Sequence, residues 1–175
     1  MARKCELRSQ KTANGILGSS VAMSCTRTPL YQPSITPVSD REYVLDTTYV
    51  TTFDYLGDGN LCRLTIDPGF RYDGASVPRL LWSISGIRPD GLNRAASLVH
   101  DYIYVNKGHI HFKQVELCWH GEWCSGQNIQ ISRSRCDRIF LEQLKEAGVK
   151  WVPRNLAYTA VRAAGWFLWM QKKRK

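Results

Sequence analysis

The chain has 175 residues, of which 43% are hydrophobic and 22% are charged. These proportions are ordinary for a globular protein, and the length suits one domain whose core needs no disulfide or metal to complete it. No stretch of about 18 uninterrupted apolar residues is present, so no membrane-spanning helix is predicted. The net charge of +9 at pH 7 indicates either a solvated basic surface or a polyanionic partner: an anionic membrane, an acidic protein or, since charge alone leaves it open, a nucleic acid.

The N-terminal segment is basic, but no apolar stretch follows it, so no signal peptide is predicted. Synthesis in a reducing cytosol is therefore expected, with mostly free thiols among the six cysteines. Residues 1–38 are polar, basic and punctuated by glycine and proline, which predicts an irregular N-terminal arm before a single domain at 39–175. Such an arm can dock on a neighbouring subunit, so an oligomer held through it is one expectation.

Strand signals begin at residue 43. Tyr43–Tyr55 and Leu61–Ile66 are rich in β-branched and aromatic residues, and Asp58-Gly59 between them predicts a hairpin with a type I′ turn. The alternative for residues 57–60 is a loop that binds calcium or phosphate. The pattern predicts an α+β fold: a small antiparallel sheet from about 43 to 72, followed by three helices packed on it and on one another.

A turn is predicted at Asp73–Pro78. Asp73 and Ser76 either organise this turn through side-chain-to-backbone hydrogen bonds or project polar groups into a substrate site. Ser76 would also cap a short helical stretch that begins at Pro78.

The first long helix is predicted from about 90 to 105 by apolar residues at helical spacing. His100 lies at the edge of its apolar face, Asp101 points about 100° away, and Tyr104 follows His100 by one turn. This phase predicts that His100 and Asp101 do not bond each other and that each finds a different partner. His100 is either a hydrogen-bonded core residue or a catalytic base.

The connector at 106–131 contains His-x-His and Cys-x-His-x-x-x-Cys spacings, which indicate either metal ligands or a loop or hairpin pinned over the core. Ser134-x-x-Asp137 predicts a capping box at the start of a second helix that stops at Gly148. A third helix is predicted from about Pro153 to Met170. It is either a core helix or one that lies at an anionic membrane surface.

Helices that carry His100 and Asp137 can pack antiparallel across the connector. Asp137 would then accept one ring N–H of His100, the other ring nitrogen would activate a water, and Tyr104 would steady the carboxylate by a hydrogen bond. Asp101 would bind a cation that polarises the substrate carbonyl. These residue types predict a hydrolase without a covalent nucleophile.

The motifs from residue 43 to 170 resemble a family of uncharacterised proteins found mostly in tailed bacteriophages and prophages. The residues that carry the resemblance are Gly69-Phe70, Asp73–Pro78, Trp82, Ala95-Ala96, His100-Asp101, Tyr104, Asp137, Phe140, Ala147–Val149 and Trp166. The resemblance implies a phage-encoded protein made in the cytoplasm of a host bacterium, and it implies no mechanism.

The His-Asp-x-x-Tyr helix and the later Asp-x-x-Phe helix also resemble the core of phospholipase A2. By this resemblance His100 is the base, Asp137 its partner, Tyr104 the support and Asp101 the ligand of calcium. The glycine-rich calcium loop of that family has no counterpart shortly before the His100 helix.

Two hypotheses follow. The first is an envelope-directed, phospholipase-like hydrolase. The second is a non-catalytic virion or assembly protein, a tail or head-completion component that uses the same polar cluster structurally and has other virion proteins as partners.

Overall fold

A computed structural model of the chain describes residues 25–39, 42–72 and 91–170. The helices in these ranges are α1 (Arg94–Val105), α2 (Arg133–Glu146) and α3 (Trp151–Met170). The strands are β1 (Ile35–Pro37), β2 (Tyr43–Leu45), β3 (Tyr49–Asp54), β4 (Leu61–Ile66), β5 (Arg71–Tyr72), β6 (His109–Ile110), β7 (Val115–Trp119), β8 (Glu122–Ser125) and β9 (Ile129–Gln130). Antiparallel sheets followed by packed helices confirm the predicted α+β fold.

The largest sheet of the described ranges has the strand order β3-β4-β7-β8, with antiparallel pairing throughout. On β4, the alternate residues Cys62, Leu64 and Ile66 are completely buried, as the period of two in a strand requires when one face covers a core. The hairpin β7–β8 comes from the connector at 106–131. This connector therefore extends the sheet beyond the predicted limit at residue 72.

The predicted strand at Tyr43–Tyr55 is two strands in different sheets. β2 lies between β1 and β5, whereas β3 pairs with β4. The break falls at residues 46–48. There the Asp46 N–H donates to the Ser34 carbonyl across 3.0 Å, and the Ser34 hydroxyl donates to the Asp46 carboxylate across 2.9 Å.

The β3–β4 hairpin is confirmed, but its predicted type I′ turn is wrong. β3 ends at Asp54 and β4 begins at Leu61, and the Asp54 carboxylate accepts the backbone N–H groups of Leu56, Gly57 and Gly59. This side-chain cap closes a longer loop in which the glycines, and not Asp58, take positive φ angles. The Asp54 carboxylate satisfies three backbone donors of this loop, so the Gly-Asp-Gly pattern has a structural explanation that needs no bound calcium or phosphate.

Residues 25–38 belong to the folded unit. β1 pairs with β2, and the backbone N–H of Thr28 donates to the Thr52 hydroxyl across 2.7 Å. Arg27 and the backbone N–H of Leu30 both bond Glu146 at the end of α2. This part of the predicted arm therefore lies against its own domain.

The cysteines differ from the expectation of free thiols. Cys25 and Cys118 form a disulfide with a Cα–Cα distance of 6.0 Å, and Cys124 is also disulfide-bonded. Cys62 and Cys136 are buried free thiols. Because Cys118 and Cys124 are consumed in disulfides, the Cys-x-His-x-x-x-Cys spacing does not mark a metal site.

Helix α2 begins two residues earlier than the capping box predicted. Ser132 is its N-cap and accepts the N–H of Arg135, so Ser134 lies inside the helix and Asp137 is not a capping carboxylate. The predicted stop at Gly148 is confirmed, since Gly148 has φ +78° and Val149 N–H bonds Leu144 O in the pattern of a Schellman motif.

The core surrounds α1 on all sides. Its residues 95–104 are all buried, with Leu98 and Ile103 in the large cluster that includes the sheet and Ala96 in a second cluster with α2 and α3. Polar residues of α1 are therefore buried as well, and each needs a partner inside the protein. In the described ranges, no helix combines the length and apolarity required to cross a bilayer.

Candidate functional site

A buried polar cluster lies where α1, α2 and α3 meet. His100 is 3% exposed and Asp137 is 0% exposed. His100 Nε2 lies 3.1 Å from Asp137 Oδ1, which is hydrogen-bond distance. The contact predicted between these two residues, from two helices separated by the connector, is present.

Tyr104 completes the predicted arrangement. Its hydroxyl donates to the same Asp137 oxygen across 2.6 Å, a short distance typical of a bond to a charged acceptor. Its ring packs on the imidazole of His100 with ring centroids 4.2 Å apart. Position i+4 on α1 brings both side chains to the same carboxylate.

Two arginines that the sequence reasoning missed hold the other oxygen of Asp137. Arg133 Nη1 lies 3.3 Å from Oδ2 and Arg162 Nη1 lies 3.0 Å from it. Arg133 comes from the same helix as Asp137 at i−4, a spacing that could have indicated the pair. Arg162 comes from α3, and no local sequence signal points to it.

Asp101 lies closer to His100 than helical phase predicted. Its Oδ1 is 3.6 Å from His100 Nδ1, so the imidazole lies between two carboxylates. The two neighbours are therefore in ion-pair contact, at a separation longer than a hydrogen bond, whereas His100 is hydrogen-bonded to Asp137. Both side chains are buried.

The charge state of the cluster follows from these contacts. Burial alone would lower the pKa of His100, but the neighbouring carboxylates of Asp101 and Asp137 outweigh it and raise that pKa above its usual range. Burial alone would raise the pKa of Asp137, yet bonds from His100, Tyr104 and Arg162 hold it below its usual range. These contacts favour the protonated form of His100 and the ionised form of Asp137.

The surroundings of the cluster are aromatic and tightly packed. The Phe140 ring lies 5.0 Å from the His100 ring between centroids, and Trp169 meets Tyr104 edge-on at 4.9 Å. Gly165 of α3 faces the Tyr104 hydroxyl so closely that a Cβ there would collide with it. Cys136 is a buried neighbour whose thiol pKa is raised by burial, which makes it a poor nucleophile.

Two predicted site residues, Asp73 and Ser76, lie outside the described residues. Within those that are described, no group of three or more His, Cys, Asp or Glu side chains is arranged to hold a metal ion.

Comparison with known protein families gives a match. A family described as "Protein of unknown function (DUF1353)" matches residues 48–161. The chain belongs to this family. The match in this DUF1353 protein includes His100, Tyr104, Arg133 and Asp137, and it ends one residue before Arg162. No curated protein and no solved structure matches the chain.

Proposed function

We propose that this DUF1353 protein is a hydrolase of acyl esters in which His100 activates water and Asp137 orients the imidazole. The observation that carries the proposal is the 3.1 Å contact from His100 Nε2 to Asp137 Oδ1, with the Tyr104 hydroxyl on the same oxygen. A carboxylate bonded to one ring nitrogen fixes the tautomer and stabilises the imidazolium that forms when the other nitrogen takes a proton.

The nitrogen that would take the proton is Nδ1. In neutral His100 the proton on Nε2 is donated to Asp137, which leaves the lone pair on Nδ1. Asp101 Oδ1 lies 3.6 Å from this nitrogen, too close for a water to sit between them. Water activation therefore requires the Asp101 side chain to turn away from the ring.

The proposed hydrolysis is tested with and without calcium, because a cation could act at Asp101. A cation on Asp101 would draw its carboxylate away from His100 and would polarise a substrate carbonyl. The proton transfer itself is assigned only to His100 and Asp137.

The second candidate is a non-catalytic virion or assembly protein of a bacteriophage, in which the cluster only joins three helices. The observation that favours it is the saturation of Asp137, which accepts from His100, Tyr104, Arg133 and Arg162. A carboxylate with so many donors is well suited to stability alone.

The deciding experiment is an esterase and phospholipase assay of the full chain, with calcium and with a chelator. His100→Asn is expected to lower kcat by about 100-fold to 10,000-fold, the usual contribution of a general base. The matched control is His120→Asn, an exposed histidine at φ +50°, where asparagine is tolerated.

Loss of activity in His100→Asn, assayed at a temperature where circular dichroism shows that the variant is folded, supports the hydrolase. If the wild-type chain hydrolyses none of these esters under either condition, or if His100→Asn remains as active as His120→Asn, the hydrolase proposal fails and the structural candidate is preferred.

A further inference from the structure

The C-terminal half of α3 carries two large apolar side chains that are mostly exposed to solvent. Trp166 is 61% exposed and Met170 is 68% exposed. They are four residues apart, so they lie one above the other on the same side of the helix. Thr159 and Ala163, also exposed, continue this line towards the N-terminus. We call Trp166 and Met170 the outer ridge.

The opposite side of the same turns is fixed to the protein. Gly165 is buried against Tyr104, and the Trp169 ring packs edge-on against Tyr104 at 4.9 Å. Lys107, just after α1, donates from Nζ to the Trp169 carbonyl across 2.7 Å. These contacts fix the rotation of the helix, so the outer ridge is held towards solvent.

The charge of this end of the chain has one sign. From residue 147 to the end there is no aspartate or glutamate, whereas the cations are Lys150, Arg154, Arg162, Lys172, Lys173, Arg174 and Lys175. Four of these follow the outer ridge directly in sequence. An apolar ridge with tryptophan, followed in sequence by a cationic segment, suits a surface that offers both anionic groups and an apolar interior.

We propose that the outer ridge binds the surface of an anionic lipid bilayer, with electrostatic attraction contributed by the positive charge of the C-terminal sequence. Tryptophan is favoured at the level of the lipid headgroups, where its ring is buried and its N–H stays hydrated, and methionine adds flexible apolar area. Lysine and arginine near such a surface add attraction that salt weakens. The helix lies on the surface and does not cross it.

The proposal goes beyond the proposed hydrolysis and does not depend on it, because binding to vesicles is measured without turnover. If both hold, substrate would be drawn from the bound surface. Binding without hydrolysis would leave this inference standing and overturn only the enzyme.

The test is co-sedimentation of the full chain with vesicles of phosphatidylcholine, with and without phosphatidylglycerol. Binding is expected to vesicles that contain phosphatidylglycerol, to weaken as salt rises, and to be slight with phosphatidylcholine alone. Trp166→Ser with Met170→Ser is expected to weaken binding about tenfold or more, the equivalent of about 1.4 kcal/mol of lost apolar burial.

The matched control is Trp119→Ser, which removes a tryptophan of similar exposure, 58%, from the end of β7. It should bind vesicles as the wild type does, and thermal unfolding should show that all variants fold. The inference fails if the wild type does not bind anionic vesicles at low salt. It also fails if the double variant binds as tightly as the wild type, because charge alone would then explain the binding. It also fails if the outer ridge proves to join two copies of the chain, seen as a dimer that the double variant loses.

Discussion

Tyr104 donates its hydroxyl hydrogen to Asp137 Oδ1 across 2.6 Å and so joins α1 to α2 in the interior of the protein. Tyr104→Phe would remove this bond while it keeps the ring that packs between His100 and Trp169. Hydrogen bonds to charged groups contribute about 1.5–3 kcal/mol, so we expect the free energy of unfolding to fall by that amount in urea titrations.

Tyr102→Phe is the matched control for this prediction. Tyr102 lies on the same helix, but its ring packs edge-on against Phe70, away from Asp137. If the two variants lose the same free energy of unfolding, the hydrogen bond from Tyr104 to Asp137 contributes no more to stability than the hydroxyl of Tyr102 does, which would contradict the prediction.

Gly165→Ala is expected to lower the free energy of unfolding, although alanine has the higher helix propensity. In a helix interior, alanine is normally more stable than glycine by about 1 kcal/mol. At this position the added Cβ would collide with the Tyr104 hydroxyl, which is held by Asp137 and has little room to move. We expect a loss of about 1–3 kcal/mol, typical of overpacking, measured by chemical denaturation.

A substitution at the exposed neighbour Ala163 measures the effect of helix propensity alone and is the control for Gly165→Ala. Ala163→Gly should cost about 0.5–1 kcal/mol through propensity alone. A Gly165→Ala variant that is more stable than the wild type would show that Tyr104 moves aside at little cost.

The sequence was sufficient to predict the contact among His100, Tyr104 and Asp137. His100 and Tyr104 are one helical turn apart, and Asp137 lies on the next long helix, so spacing and residue chemistry carry the information. Arg162 could not be predicted, because it reaches Asp137 only through the way α3 packs on α2, a long-range relationship with no local pattern.

The strands were harder to place than the helices. The run at Tyr43–Tyr55 has uniform β propensity, yet tertiary pairing divides it between two sheets. The Cys25–Cys118 disulfide was missed for a similar reason, because the pairing of cysteines depends on the fold and not on their spacing.

The His100–Asp137 pair predicts a specific pH window for stability. The pKa of His100 is raised, so its contribution is complete below the ordinary histidine value of about 6.5 and is lost as pH rises through the folded value. The pKa of Asp137 is lowered, so its contribution is present above about 3.9 and is lost as pH falls. Stability from this pair is therefore greatest between these two values.

Urea unfolding of the wild type and His100→Asn across this range checks the prediction. The difference in free energy of unfolding should be largest in the mildly acidic region and should shrink above neutrality. A difference that stays constant from mildly acidic to alkaline pH would show that His100 does not change charge between the folded and unfolded states.

Asp101→Asn distinguishes the effect of Asp101 on the pKa of His100 from the effect of Asp137. Removing this negative charge, which lies 3.6 Å from Nδ1, should lower the pKa of His100. NMR titration of the histidine ring signals measures this directly, with His100→Asn used to assign the signal. If the protein is a hydrolase, the acidic limb of kcat/KM should move to lower pH by the same amount, and an unchanged titration would contradict the contact.

The disulfide between Cys25 and Cys118 ties the segment before β1 to the β7–β8 hairpin, across a sequence separation of 93 residues. Closing so long a loop restricts the unfolded chain, so Cys25→Ser with Cys118→Ser should lower the free energy of unfolding by about 2–5 kcal/mol. Urea titrations without reductant measure this loss. Adding reductant to the double variant then reports the contribution of the Cys124 disulfide separately. A double variant as stable as the wild type would mean that the contacts of Arg27 and Leu30 with Glu146 hold this segment without help from the disulfide.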